Sequence, residues 1–132
     1  MIVARSRILF LSCMVLMAAV AGPAAAAEFR KAQSGRAAWM DDYYGWDNRC
    51  RPKIVNIDVV REPAHGKISP RPKSGRIPRP KIGSATQCVG KPLKGWSVYY
   101  TSRRGYRGVD NFTIRMSIGG TSKLFNYRVT VR

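Results

Sequence analysis

Apolar and polar positions alternate along residues 53–61 (KIVNIDVVR), with Val55, Ile57 and Val59 on one side and Asn56 and Asp58 on the other. A period of two sends successive side chains to opposite faces, so this pattern predicts a half-buried strand. Glu62-Pro63 ends it, and His65-Gly66 turns the chain into a short strand at Lys67-Ile68-Ser69. Residues 96–101 (WSVYYT) are aromatic and β-branched and predict another strand. After a polar loop from Ser102 to Gly108, a hairpin follows. Phe112, Ile114, Met116 and Ile118 alternate with Asn111, Thr113, Arg115 and Ser117; beyond Gly119-Gly120, Phe125, Tyr127, Val129 and Val131 alternate with Asn126, Arg128 and Thr130. A two-residue Gly-Gly turn tolerates the positive φ that tight hairpins need. It also sets the register, because Ile114 then faces Phe125 and Phe112 faces Tyr127, with both apolar sets on one side. A slip by one residue would expose one of those sets.

Two stretches break the pattern. Residues 28–49 (EFRKAQSGRAAWMDDYYGWDNR) fit neither a period of 2 nor one of 3.6. They are expected to form an irregular N-terminal segment that lies against the domain or stays mobile. Their rings, Trp39, Tyr43, Tyr44 and Trp46, crowd around Asp41, Asp42 and Asp47. Such a mixture is compatible with sugar stacking, but rings of this kind more often cover the edge of a core. In the second stretch, Pro70-Arg71-Pro72-Lys73 recurs as Pro78-Arg79-Pro80-Lys81. Four prolines forbid a central strand and favour polyproline II or an extended loop. Lys67, Arg71, Lys73, Arg76, Arg79 and Lys81 have no acid among them, which predicts a solvated basic loop over 67–83. One or two further strands are expected within 76–90, around Gln87-Cys88-Val89.

The first 27 residues follow the pattern of a cleaved secretory signal peptide. Arg5 and Arg7 precede an apolar run from Ile8 to Val20, which is short of the ~20 residues that span a bilayer. Gly22-Pro23 breaks the run, and Ala25-Ala26-Ala27 supplies small residues before Glu28. Cys13 lies in mid-run without the small residue at −2 that a lipoprotein signal carries. The expected organisation is therefore a signal peptide at 1–27, the irregular segment at 28–49 and a β-domain at 50–132, with no membrane span after processing. The product is periplasmic or secreted.

Charge and cysteines sharpen this picture. The chain carries 24 Lys and Arg against 7 Asp and Glu, a net charge of +17. Removing Arg5 and Arg7 with the leader leaves 22 against 7, or +15, which attracts polyanions. Cys50 and Cys88 remain after processing, and in a small exported domain two thiols are expected to pair. The bond contributes roughly 4 kcal/mol in the chain-entropy model.

Within residues 54–131, Pro63-Ala64-His65-Gly66-Lys67-Ile68, Val98-Tyr99-Tyr100-Thr101, the Gly105 to Ile114 corner (GYRGVDNFTI) and Tyr127-Arg128-Val129-Thr130-Val131 carry a resemblance. The chain resembles the cadherin-like and immunoglobulin-like (Big-type) repeats of bacterial surface and secreted proteins, here in a single copy. That resemblance implies an all-β Greek-key sandwich. Some members of the family bind calcium between repeats; here no set of oxygens suited to a metal is apparent, and Asp110 is expected to cap the corner loop instead. The proline-rich stretch and the cysteine pair lie outside the family's usual pattern.

Catalytic signals are sparse. His65 is the only imidazole and sits at a turn, and phosphate-binding loops, dinucleotide motifs and zinc spacing are absent from the sequence. No enzyme, cofactor or metal is expected; an exported hydrolase using His65 is the remote alternative. The candidate anion-binding residues are Lys67, Arg71, Lys73, Arg76, Arg79 and Lys81, with Arg103, Arg104 and Arg107 around Tyr106. Arginine adds bidentate contacts to phosphate or carboxylate. The expected partner is an anionic envelope polymer: lipopolysaccharide phosphates, teichoic acid or acidic polysaccharide. Alternatively, a partner protein meets a sheet edge or the proline-rich arm. The charge allows nucleic-acid binding in vitro, but export argues against a physiological role. Mass spectrometry of the native protein should find Glu28 as the first residue and Cys50 and Cys88 oxidised; an intact Met1 with two free thiols would sink the export reading.

Overall fold

The computed structural model describes residues 26–78 and 86–132. In chain order the strands are β1 (Ala27–Ala32), β2 (Ala37–Tyr44), β3 (Val55–Arg61), β4 (Gly66–Arg76), β5 (Pro92–Ser102), β6 (Gly108–Ile118) and β7 (Thr121–Val131). They form an all-β sandwich of two sheets, ordered β1-β7-β6-β3 and β2-β5-β4, consistent with an immunoglobulin-like fold. The β6–β7 hairpin has the expected register, Ile114 opposite Phe125 and Phe112 opposite Tyr127, and Gly119 and Gly120 both take positive φ. Among the described residues, no helix is long and apolar enough to cross a membrane. The leader expected at 1–27 falls almost wholly outside those residues.

Two further strands lie at the N-terminus, and the described residues within 77–90 contain none. The stretch 28–49, expected to be irregular, contains β2 and all but the first residue of β1, while Thr86–Cys88 forms a short 3-10 turn. Two features hide the alternation. A bulge between Trp39 and Asp41 shifts β2 by one position, so Ala38 and Met40 face inward and then Tyr43 does. In β1 an arginine occupies an inward position: Arg30 Nε donates to Met40 O at 2.9 Å, and its guanidinium reaches Asp41 and Glu28.

The loop expected over 67–83 is also corrected. Residues 66–76 pair with β5 along their whole length, from Gly66 opposite Ser102 to Arg76 opposite Pro92. The prolines permit this because β4 is an edge strand. Pro70 and Pro72 are two apart, so both missing N–H groups fall on the same side, the outer edge that has no partner to receive them.

Between the sheets, Met40, Tyr43, Val98, Tyr100, Phe112, Ile114, Tyr127 and Val129 are buried. Phe112 stacks on Tyr127 with centroids 4.8 Å apart, and Tyr43 meets Phe125 edge-on at 5.1 Å. Each large side chain taken out of water contributes roughly 1.5–3 kcal/mol. The Tyr43 and Tyr127 hydroxyls hydrogen-bond to each other inside this core. Burial pushes the Tyr127 phenol up to about 12 and that of Tyr43 higher still, so both remain neutral.

A second, smaller core sits at one end. Ile77, Cys88 and Leu93 pack there with Tyr44, Trp46 and Cys50. Cys50 and Cys88 form the disulfide, with Cα atoms 5.1 Å apart. Cys50 reaches it from a left-handed backbone position (φ 60°) in a turn held by Asp47, whose carboxylate accepts from the Arg49 and Arg51 amides at 2.9 Å.

Asp110 ties the elements around the site together. It is 2 % exposed and accepts four hydrogen bonds: from the Ala64 and His65 amides at 2.9 Å, from the Asn111 amide at 3.0 Å and from the Tyr100 hydroxyl at 2.8 Å. The side chain expected to cap its own corner thus also fixes the β3–β4 turn to β6 and β5. Replacing it by alanine strands these buried donors, and each costs about 1–3 kcal/mol when unsatisfied. Asp110→Ala should therefore lose on the order of 3 kcal/mol or more in urea unfolding; a loss below ~1 kcal/mol would show that the clamp is dispensable.

Candidate functional site

In β4, alternation places Ile68, Pro70 and Pro72 toward the facing sheet and Lys67, Ser69, Arg71 and Lys73 on the outer face. The same face of β5 presents Ser97, Tyr99 and Thr101, and β2 adds Trp39, Asp42 and Tyr44. Register puts Trp39 beside Tyr99 and Tyr99 beside Ser69. Arg71 reaches back over the Tyr99 ring, its guanidinium carbon 4.3 Å from the centroid. A guanidinium so placed gains from the ring's negative face while its N–H groups still reach outward.

Asp42 organises the middle of this face. Its Oδ1 accepts from Trp39 Nε1 at 3.0 Å and from Ser97 Oγ at 2.5 Å, and its Oδ2 forms an ion pair with Lys73 Nζ. Burial opposes ionisation of this carboxyl, but the donors Lys73, Ser97 and Trp39 outweigh it and hold the group below its ordinary range. The cations of the 67–81 stretch are therefore not unrelieved: Lys73 has an acid partner contributed by β2. Lys67 and Arg71 remain exposed, and among the described residues neither forms an ion pair.

The other expected site residues separate. Arg76, on the opposite side of β4 from Arg71 and Lys73, donates to Gly90 O at 2.8 Å and braces the loop after β4. Arg79 and Lys81 lie outside the described residues. Arg103, Arg104 and Arg107 are exposed in the β5–β6 loop. Gly66 pairs with Ser102, so this loop leaves the sheet at the end where β4 begins. A depression of about 210 Å³ there is lined by Gly66, Lys67, Thr101, Ser102 and Arg103, joining the two basic clusters. His65 stacks on Tyr106 with centroids 4.1 Å apart, and Arg103 Nη2 lies 3.0 Å from its Nδ1.

The acidic-aromatic segment splits three ways. Tyr43 enters the main core, Tyr44 and Trp46 stack at 6.0 Å above the smaller one, and Trp39 stays half exposed on the outer face. Sequence reading missed Trp39, Tyr99 and Asp42 as members of the basic surface. The Trp39–Asp42 spacing was the available signal, but strict alternation places those two on opposite faces. A groove of about 610 Å³ elsewhere, between the β3 and β4 edges, is lined by Asn56, Ile57, Asp58, Pro70, Trp96 and Ser117 and offers an anion no cation.

Set beside known proteins, the chain matches no protein-family model, no curated protein and no solved structure.

The Asp42 network carries a pH signature. A carboxyl depressed in the folded state contributes stability above its ordinary value of 3.8 and loses it as the pH falls through the lower folded value. Asp42→Asn should flatten the acid limb of the stability–pH curve below 3.8 relative to wild type, read by thermal unfolding. Parallel curves for the two proteins would remove Asp42 from the account.

Proposed function

We propose that this chain is an exported, non-enzymatic binding module that docks on an anionic cell-envelope polymer, in the periplasm or outside the cell. Its framework is a Greek-key sandwich of the cadherin-like, immunoglobulin-like bacterial type, which the strand order β1-β7-β6-β3 with β2-β5-β4 supports. The observation that carries the reading is the continuity of cations across elements distant in sequence. Lys67 and Arg71 lie along the outer face of β4, and Lys67 and Arg103 line the same depression. A polyanion laid along that line meets charges unpaired by protein acids, on a processed chain with 22 Lys and Arg against 7 Asp and Glu, a net charge of +15.

A non-enzymatic role accords with the commitment of His65, which is stacked on Tyr106 and bonded to Arg103. The alternative, a protein partner adding a strand to a sheet edge, loses support at β4, where Pro70 and Pro72 deny outward donors. Nucleic acid would answer to the same charge in vitro, and export argues against it as the natural ligand.

Binding to purified envelope polymer should weaken steeply with added salt, because exposed charges are screened within about 10 Å at 0.1 M. In a Lys67→Gln/Arg71→Gln/Arg103→Gln variant, losing three exposed contacts of about 0.3–1 kcal/mol each should weaken binding roughly fivefold to a hundredfold. Affinity indifferent to both salt and the triple substitution would overturn the reading. A single protein retained at high salt would put the protein-partner alternative in its place.

A further inference from the structure

We propose that the outer face of the β2-β5-β4 sheet is a saccharide platform, and that the polymer it takes is a carboxylated polysaccharide, with a sugar ring on Trp39 and its carboxylate on Arg71. This rests on the envelope-polymer reading above and narrows it from polyanions in general to one chemical class.

Trp39 is a large apolar ring left 50 % exposed on β2, an edge strand of the sheet, beside Tyr99 of the central strand. It does not swing freely, because its indole N–H is bonded to Asp42 Oδ1 at 3.0 Å. A side chain held by its polar edge leaves its apolar face for a ligand at little further cost in rotamer entropy. The C–H face of a pyranose is a matching surface, being flat, weakly apolar and rimmed by hydroxyls.

The rim groups fit as well. Asp42 anchors Ser97 and Lys73 in fixed positions beside the ring. An ionised carboxylate has about four acceptor sites, and three are used here, leaving one for a sugar hydroxyl. Lys73 can donate to hydroxyls as well as to Asp42, since an ammonium carries three donors.

The charge selects the class. Arg71, fixed over Tyr99 at 4.3 Å, and Lys67 present cations with no acid partner among the described residues. A guanidinium grips a carboxylate in a bidentate manner. Phosphate polymers would use Arg71 and Lys67 equally well, but they offer nothing for Trp39. Single-stranded nucleic acid would offer both bases and phosphates, and the proposed export argues against it as the natural ligand. Ring, acceptor and cation on one flat face together describe a uronic-acid type of sugar.

The test is isothermal titration of the full exported protein with four probes: polygalacturonate, inorganic polyphosphate, the neutral polymer hydroxyethyl cellulose and oligo-dT. Wild type is compared with Trp39→Ala, Trp39→Phe and the triple charge variant. Wild type should prefer polygalacturonate to the other three probes. Trp39→Ala should weaken polygalacturonate roughly tenfold or more and leave polyphosphate unchanged, while Trp39→Phe keeps a ring and recovers most of the loss. The triple variant should weaken both polyanions. Trp39 is half exposed, so these substitutions leave the core intact, and unchanged thermal unfolding checks it. If polyphosphate binds as tightly as polygalacturonate and Trp39→Ala alters neither, the platform is overturned while envelope docking stands. Tighter, Trp39-dependent binding of oligo-dT would reassign the face to nucleic acid. Binding of no polyanion would overturn both proposals together.

Discussion

The antiparallel pairing of β4 with β5 is the contact on which the proposed binding face depends. Left to itself, a segment carrying Lys67, Arg71 and Lys73 among prolines would spread into water, because like charges repel and proline supplies no donor. Pairing along the full strand fixes these side chains at every second position, all on one face. The prolines do not oppose it, since their missing N–H groups face outward from an edge strand. The cations gain spacing and direction that no solvated loop could give them.

That face is also more balanced than composition suggests. A net charge of +17 implies a molecule that adheres to any polyanion. The structure places Asp42 among the cations, where it pairs with Lys73 and fixes Trp39 and Ser97. Attraction at long range comes from the whole charge, whereas discrimination at contact must come from shape and hydrogen bonding. The clamp at Asp110 serves the second requirement, because it holds Tyr100 of β5 and the turn leading into β4 to one carboxylate.

Much of this was legible in the sequence wherever local alternation matched the fold. The β6–β7 hairpin could be registered to the residue, because a Gly-Gly turn and two apolar sets constrained each other. The Cys50–Cys88 pair followed from there being two thiols in a small domain. What escaped were features made by departures from regularity. The bulge after Trp39 breaks the period of β2 and brings Trp39 and Asp42 to the same side, so simple alternation misassigns both the strand and the site. Arg30 points inward on β1, which erases that strand's apolar signature. Proline content suggested a loop over 67–83, although 67–76 is strand, because edge position depends on long-range pairing that no local window contains.

The parallel ladder between β1 and β7 sets Ala27 beside Asn126 and Ala32 beside Val131, and the Arg132 amide donates a further bond to Ala32 O at 3.0 Å. A ribosome or a translocation channel delivers residue 27 long before residue 126. The first strand must therefore wait, unpaired on that side, for the last one to arrive. Closure of the four-stranded sheet is a final event with a large loop-closure cost, the kind of non-local contact that makes sandwiches slow to fold. Until that last strand is available, β1 has no neighbour in its sheet.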